Sequence, residues 1–103
     1  MRRVVITGMG TVNPLGKNVE RVLGEQSRLT RTVFHMLTSF DTENFPVKIV
    51  GAVKDFDCTE YIDKKEAKRM DRFTQFAVCS AKQALKMAGS DFKDVDPFKA
   101  GVI

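Results

Sequence analysis

Residues 1–15 read MRRVVITGMGTVNPL, an apolar run, Val4-Val5-Ile6, that enters Thr7-Gly8-Met9-Gly10. A strand feeding a glycine-rich turn is how a dinucleotide-binding fold begins, and Gly-x-Gly-x-x-Gly opening directly into a helix completes that fingerprint. Gly8 and Gly10 supply the first two glycines, but the third position is Asn13, Pro14 follows it, and the next glycine is Gly16. Between Gly10 and Asp41 the only acids are Glu20 and Glu25, and neither closes an apolar run where a ribose-binding carboxylate belongs. The Lys-Ser/Thr pair of a phosphate loop is missing as well. No nucleotide site is expected here. The glycines are read instead as places where a buried strand turns and a Cβ would clash.

Outward from that stretch, Arg3 to Thr7 reads as a strand buried on both faces, because its apolar residues are consecutive rather than alternating. Asn13-Pro14-Leu15-Gly16 is a turn, and Asn18 caps a helix from Val19 to about Gln26. Phe40 to Pro46 is a loop with Asp41-Thr42 and Asn44 as turn formers. Val47 to Val53 alternates as a half-buried strand does, with Val47, Ile49, Gly51 and Val53 set against Lys48, Val50 and Ala52. Asp57 or Thr59 then caps a short helical turn through Tyr61.

The span from Lys64 to Ala88 contains neither glycine nor proline and predicts one long helix. Asp63 is its N-cap, with Glu66 at the third helical position as in a capping box. Met70, Phe73, Ala77, Ala81, Ala84 and Ala88 form one apolar stripe at spacings of three or four. The stripe ends in alanines, which predicts close approach to another backbone. Gly89 supplies the stop, Pro97 starts a further short turn, and Ala100-Gly101-Val102-Ile103 reads as the opening of another buried strand.

Composition narrows the function classes. The chain has 103 residues, enough for one domain or part of one, and its 43% hydrophobic and 29% charged residues are those of an ordinary globular protein. No apolar run approaches the roughly 20 residues of a membrane span, and Val4-Val5-Ile6 is too short for a secretory signal. Cys58 and Cys79 have no Cys-x-x-Cys spacing and one histidine, His35, for company, so no metal site is expected and a reducing, cytoplasmic setting suits two free thiols. A net charge of +4 favours an acidic partner. A basic nucleic-acid-binding domain is an alternative, but it would want aromatics interleaved with cations on a sheet, or a recognition helix with its partner helix. Phe73 and Phe76 belong to the apolar stripe or lie beside it, so no nucleic acid is expected as a partner.

The positive charge is concentrated in the first turns of the predicted long helix. Lys65, Lys68, Arg69 and Arg72 recur at three- and four-residue spacing, with Lys64 beside them and Glu66 and Asp71 as the opposing acids. A solvated helix face is one reading. The other is a docking patch: cations near a helix N-terminus oppose its dipole, a small cost that an acidic partner offsets.

RRVVITGMGTVNPLG, SFDTENFPVKIVGAVKDFD, EYIDKKEAKRMDRFTQFAVCSAKQAL and AGVI together resemble the N-terminal portion of the bacterial β-ketoacyl-[acyl-carrier-protein] synthase II family, the elongating condensing enzymes of fatty acid synthesis. The resemblance covers positions 2–20 and about 39–103, and KDFD…KKEAKRMDRFTQ is its most specific part. It implies an α/β, thiolase-like fold, here partial: the first strands and long core helix of an N-terminal half, incomplete as a domain. Residues 1–103 would be the N-terminal part of the synthase N-terminal domain, and VVITGMGTVNPLG its first core strand and turn.

The same resemblance implies the chemistry. A cysteine at a helix N-terminus takes an acyl group from acyl carrier protein, two histidines assist decarboxylation of the malonyl carrier, and backbone amides hold the oxyanion. The family's catalytic residues lie beyond the position matching Ile103, so no catalytic residue is assigned here and the chain alone is expected to be inactive. Cys58, Cys79 and His35 match none of them. No cofactor is implied. Basic residues that contact acyl carrier protein in the family match Lys65, Lys68 and Arg69, with Lys64 and Arg72 as less secure additions. The full-length family forms homodimers. A non-catalytic, carrier-docking module is the alternative function.

Residues 21–38 depart from the family pattern. Where the family shows an aromatic Phe-Trp pair, an apolar helix and a Gly-Lys-Ser-Gly-Ile turn, this chain has RVLGEQSRLTRTVFHMLT, with Gly24 breaking the helix and Arg21, Arg28 and Arg31 at core positions. Codons for Val22-Leu23-Gly24 such as GTT TTG GGA, read one base later, spell Phe-Trp. A local frame slip restored before Phe40 is therefore a hypothesis beside ordinary divergence. It fails if no shifted frame of the coding DNA across codons 21 to 38 yields a family-like helix.

Overall fold

The computed structural model describes residues 1–26 and 33–103. In chain order the elements are helix α1 (Val19–Gln26), strand β1 (His35–Met36), strand β2 (Ile49–Val50), helix α2 (Lys64–Ala67), helix α3 (Arg72–Ala88) and a single 3-10 turn at Pro97–Lys99. The radius of gyration is 17.2 Å, against about 13 Å for a compact domain of about 100 residues, so much apolar surface stays uncovered.

The opening stretch shows what its glycines do. Residues 8–12 run antiparallel along α3. A Cβ on Gly8 would collide with the Ala84 carbonyl and come within 3.0 Å of the Ala88 nitrogen; one on Gly10 would collide with the Ser80 carbonyl and come within 2.9 Å of the Gln83 Cβ. Thr11 N–H donates to Gln83 Oε1 at 3.2 Å, and Gln83 Nε2 donates to the Lys17 carbonyl at 2.6 Å. The alanine end of the predicted stripe does meet another backbone, and that backbone is Gly8. The upstream residues correct the expectation of a strand buried on both faces: Val4, Val5 and Ile6 are 93%, 66% and 83% exposed, and residues 3–7 form no ladder. Such a strand needs neighbours on both edges and helices over both faces. Here α3 covers only the glycine turn. Val102 and Ile103 are likewise fully exposed and outside any strand, against the expected buried run.

Several local expectations hold. The Asn13 and Gly16 backbones bond reciprocally at 3.0 and 3.1 Å, closing the predicted turn. Asn18 Oδ1 accepts from Arg21 N at 2.9 Å and caps α1, which runs through Gly24 to Gln26 rather than breaking at the glycine. Asp41 and Thr42 close their loop by accepting from Glu43 N and Phe45 N, both at 3.0 Å. Asp57, not Thr59, organises the turn to Tyr61: its Oδ1 accepts from Thr59 N at 2.9 Å. Gly89 ends α3 in the left-handed region at φ 65°.

The predicted strand 47–53 shrinks to Ile49–Val50, paired antiparallel with His35–Met36 in the register His35↔Val50 and Met36↔Ile49. The expected alternation is not observed: residues 47–49 are exposed and residues 50–53 are all half-buried. Val47 and Ile49 are 65% and 61% exposed while Val50 is half-buried.

The predicted long helix is two. It breaks at Lys68–Asp71, and α3 restarts at Arg72 with Asp71 as an extended N-cap. The restart removes Met70 from the stripe, and within α3 itself the inward face differs from the expected one. Phe73 is 72% exposed and Ala77 and Ala81 are exposed, while the inward face runs through Phe76, Cys79, Ser80, Gln83 and Ala84. Cys79, Cys58, Ile62 and Ala67 form the buried core, with Val12, Phe56, Tyr61, Met70 and Val78 packed against it. The core therefore sits under the α2–α3 corner, and the corner presents the cations.

Candidate functional site

The basic segment is built around α2. Asp63 Oδ2 accepts from Lys65 N at 3.0 Å and starts the helix. Ala67, on the inner face, anchors it in the core. Lys65, Lys68 and Arg69 are all exposed, and among the described residues none makes an ion pair. From Asp63 to Arg72 five cations oppose three acids, a local surplus of two positive charges. Lys68 is the C-cap of α2 and Arg69 N bonds back to the Glu66 carbonyl at 2.9 Å. Lys68 and Arg69 thus lie between the C-terminus of α2 and the N-terminus of α3.

Gln75 closes the corner. From the first turn of α3 its Nε2 donates to the Ala67 carbonyl at 2.9 Å and to the Met70 carbonyl at 3.3 Å. Arg72 is not a free docking cation. Its guanidinium lies 5.7 Å from the Phe56 ring centroid and 5.4 Å from that of Phe76, and it donates to the Val53 carbonyl at 3.2 Å. The two rings meet edge-on at 4.9 Å. Arg72 therefore ties the 53–56 segment to α3. Lys64 remains exposed beside the three matched cations.

The cysteines are built for packing. Both are free and buried, Cys79 completely. Burial pushes the Cys79 thiol above its ordinary range, Cys58 adds to the shift, and Lys82 opposes it. That is the reverse of an activated nucleophile, which needs a depressed value. His35 lies half-buried on β1 with Nδ1 3.3 Å from the Val33 carbonyl, and it lines an open cleft of about 470 Å³ with Asn13, Lys17, Arg21 and Lys54. That cleft contains neither cysteine. Among the described residues no group of three or more His, Cys, Asp or Glu gathers to hold a metal, and no helix is long and apolar enough to cross a membrane.

Of the sequence-predicted site residues, Lys65, Lys68 and Arg69 come together on one exposed turn. Arg28 and Arg31 lie outside the described residues. Sequence reasoning missed Gln75 and Gln83. Gln83 falls one turn after Cys79 on the inward face, so a polar residue in that register was the available signal.

Comparison with known proteins bears on this arrangement. The family described as "Beta-ketoacyl synthase, N-terminal domain" matches residues 1–103. The 3-oxoacyl-[acyl-carrier-protein] synthase 2 of Staphylococcus aureus (strain N315) is 42% identical over 101 residues, 98% of this chain and 24% of the relative. The protein of the same name from Vibrio harveyi is 40% identical over 105 residues, with the same two coverages. Among solved structures, the ishigamide ketosynthase/chain length factor superposes with a TM-score of 0.71 at 34% identity, covering 90% of this chain and 23% of that one. The chain thus spans about a quarter of the length of the relatives it matches.

Proposed function

The chain belongs to the β-ketoacyl synthase family, within its N-terminal domain, and on that premise we propose that it serves as the N-terminal portion of a 3-oxoacyl-[acyl-carrier-protein] synthase. The observation that carries the reading is similarity over 98% of the chain to synthases of that name. The reaction is elongation of a fatty acyl chain. A thiolate elsewhere in the enzyme displaces the carrier's thiol from the acyl thioester. The malonyl carrier loses carbon dioxide, and the resulting enolate attacks the enzyme-bound acyl group, forming the carbon–carbon bond and releasing the thiolate.

Within that reaction this segment contributes docking, not chemistry. Lys65, Lys68 and Arg69 form the surface that receives the acidic acyl carrier protein, supported by their exposure and their freedom from ion pairs among the described residues. Cys58 and Cys79 are core residues and supply no nucleophile. The whole enzyme works as a cytoplasmic homodimer. The non-catalytic docking reading draws on the same observations, and activity separates the two.

The test joins residues 1–103 to the remaining length of the Staphylococcus aureus relative. The joined enzyme is expected to condense acyl and malonyl carrier protein, while the 103-residue chain alone turns over neither. A folded, soluble joined enzyme without condensation overturns the reading. So does turnover by the chain alone that is abolished by Cys79→Ala.

A further inference from the structure

We infer that Gln75 is the positioning residue of the basic turn, holding Lys65, Lys68 and Arg69 in the one arrangement in which they receive the acidic carrier; the inference rests on the docking reading above. α2 has four residues, and a helix that short does not persist unaided, because nucleation is unfavourable and its last carbonyls have no partner within the helix. Its start is held by Asp63. Its end is held from outside. The Ala67 carbonyl accepts from Met70 N at 3.2 Å and from Gln75 Nε2 at 2.9 Å, and the Met70 carbonyl, left outside both helices by the break, accepts from the same Gln75 amide at 3.3 Å.

Those two carbonyls bracket Lys68 and Arg69 in the chain. One amide group, with its two hydrogens, therefore fixes the backbone on both sides of two docking cations. Gln75 can do this because its own backbone is anchored in α3, where its N–H bonds to the Asp71 carbonyl at 3.0 Å, and because its side chain is half-buried in the corner. It carries no charge. Its contribution to docking is pre-organisation: the cations are ordered before the carrier arrives, so less freedom is lost on binding.

Charge and order leave different signatures. Reversing a cation lowers the association rate and the salt dependence of binding. Replacing Gln75 by a neutral residue leaves the field unchanged and acts on the dissociation rate.

The experiment uses the joined synthase described above and compares Gln75→Met with Lys65→Glu/Arg69→Glu. Gln75→Met, which removes both bonds, should raise KM for acyl carrier protein about fivefold. Its salt dependence and its kcat on acyl groups carried by small thiols should be unchanged. Amide hydrogen exchange should quicken over residues 64–70 and stay slow at Cys79–Ala84. Uniformly faster exchange through α3 would make Gln75 an ordinary core residue and overturn the inference, whatever the kinetics. Local exchange with carrier affinity intact in Gln75→Met, but lost in the charge reversal, overturns the positioning role and leaves docking standing. Carrier affinity intact in both variants overturns docking and the inference together.

Discussion

Gly8 rests directly on the backbone of Ala84, so closely that a methyl group at position 8 would collide with the Ala84 carbonyl oxygen. Neither partner can yield cheaply, since the obstacle is helix backbone rather than a flexible side chain. Gly8→Ala should therefore push residues 8–12 off α3, weakening the contact of Met9 N with Met87 Sδ and the Thr11–Gln83 bond that follow it. The expected loss is about 1–3 kcal/mol, the usual range for overpacking. Thermal denaturation of the joined synthase checks it, and an unchanged midpoint would show that the segment does not rest on α3. Gly10→Ala should behave alike, against Ser80.

Arg72 separates a structural cation from the proposed docking cations within one basic run. Set against the Phe56–Phe76 pair and bonded to the Val53 carbonyl, it depends on a planar guanidinium. Arg72→Lys keeps the charge and loses the stacked fork. It should cost about 1 kcal/mol of stability, the scale of a partly exposed cation–π contact, and leave carrier association unchanged. Lys65→Ala should do the opposite. Denaturation curves and association rates on both variants decide the assignment; equal stability of the two proteins would remove Arg72 from the fold's supports.

Cys79 gives a pH prediction. Burial raises its thiol, so the folded state holds the proton more tightly than the unfolded chain does. The associated stability is fully present below the ordinary thiol value of about 8.5 and is lost as pH rises from there through the raised folded value. Native protein at pH 8 should resist iodoacetamide at Cys79, whereas denatured protein reacts at once. Rapid native alkylation at pH 8, located at Cys79 by mass spectrometry, would show an accessible thiolate and reopen a chemical role for it.

What could be read from sequence was local. Asn13–Gly16, Asn18, Asp41, Asp57, Asp63 and Gly89 each act through a bond or dihedral set within a few residues, and each stands where its side chain or flexibility predicts. The alanine end of α3 pointed correctly to a close backbone. What failed depended on distant partners or on phase. Val4–Ile6 has the composition of a buried strand, but burial is conferred by neighbours that the described residues do not provide. The apolar stripe counts through Phe73, Ala77 and Ala81, which α3 leaves exposed, whereas its inward face passes through Cys79 and Gln83, and a face that includes a glutamine is not found by counting apolar residues. No glycine or proline in 64–88 marks the interruption at Lys68–Asp71, and the Gln75 amide that bonds the carbonyls on either side of Lys68 and Arg69 is not distinguishable by residue type alone. The cations were legible because exposure is what charged side chains adopt by default. The strand register was not, because β2's partner His35–Met36 lies within the segment that departs from the family pattern.

The proposed docking surface makes the sharpest demand. Lys65 and Arg69 stand four residues apart, exposed, with no ion pair among the described residues, so each is available to a carboxylate on the carrier. Such contacts steer encounter more than they deepen the bound state, because exposed pairs contribute little once formed. In the joined synthase, Lys65→Glu with Arg69→Glu exchanges two attractions for two repulsions and should slow carrier association at least tenfold at about 10 mM salt, where charges are felt out to about 30 Å. The difference should narrow steadily towards 1 M, where the screening length falls to about 3 Å. Turnover of acyl groups on small neutral thiols should match the unmodified enzyme, since no reacting group is altered and neither side chain supports the core. Stopped-flow association across that salt series, with small-thiol turnover alongside, distinguishes a docking surface from a bystander. Equal association rates at low salt would reduce Lys65, Lys68 and Arg69 to a solvated face, and a parallel fall in small-thiol turnover would move their role from docking to the integrity of the enzyme.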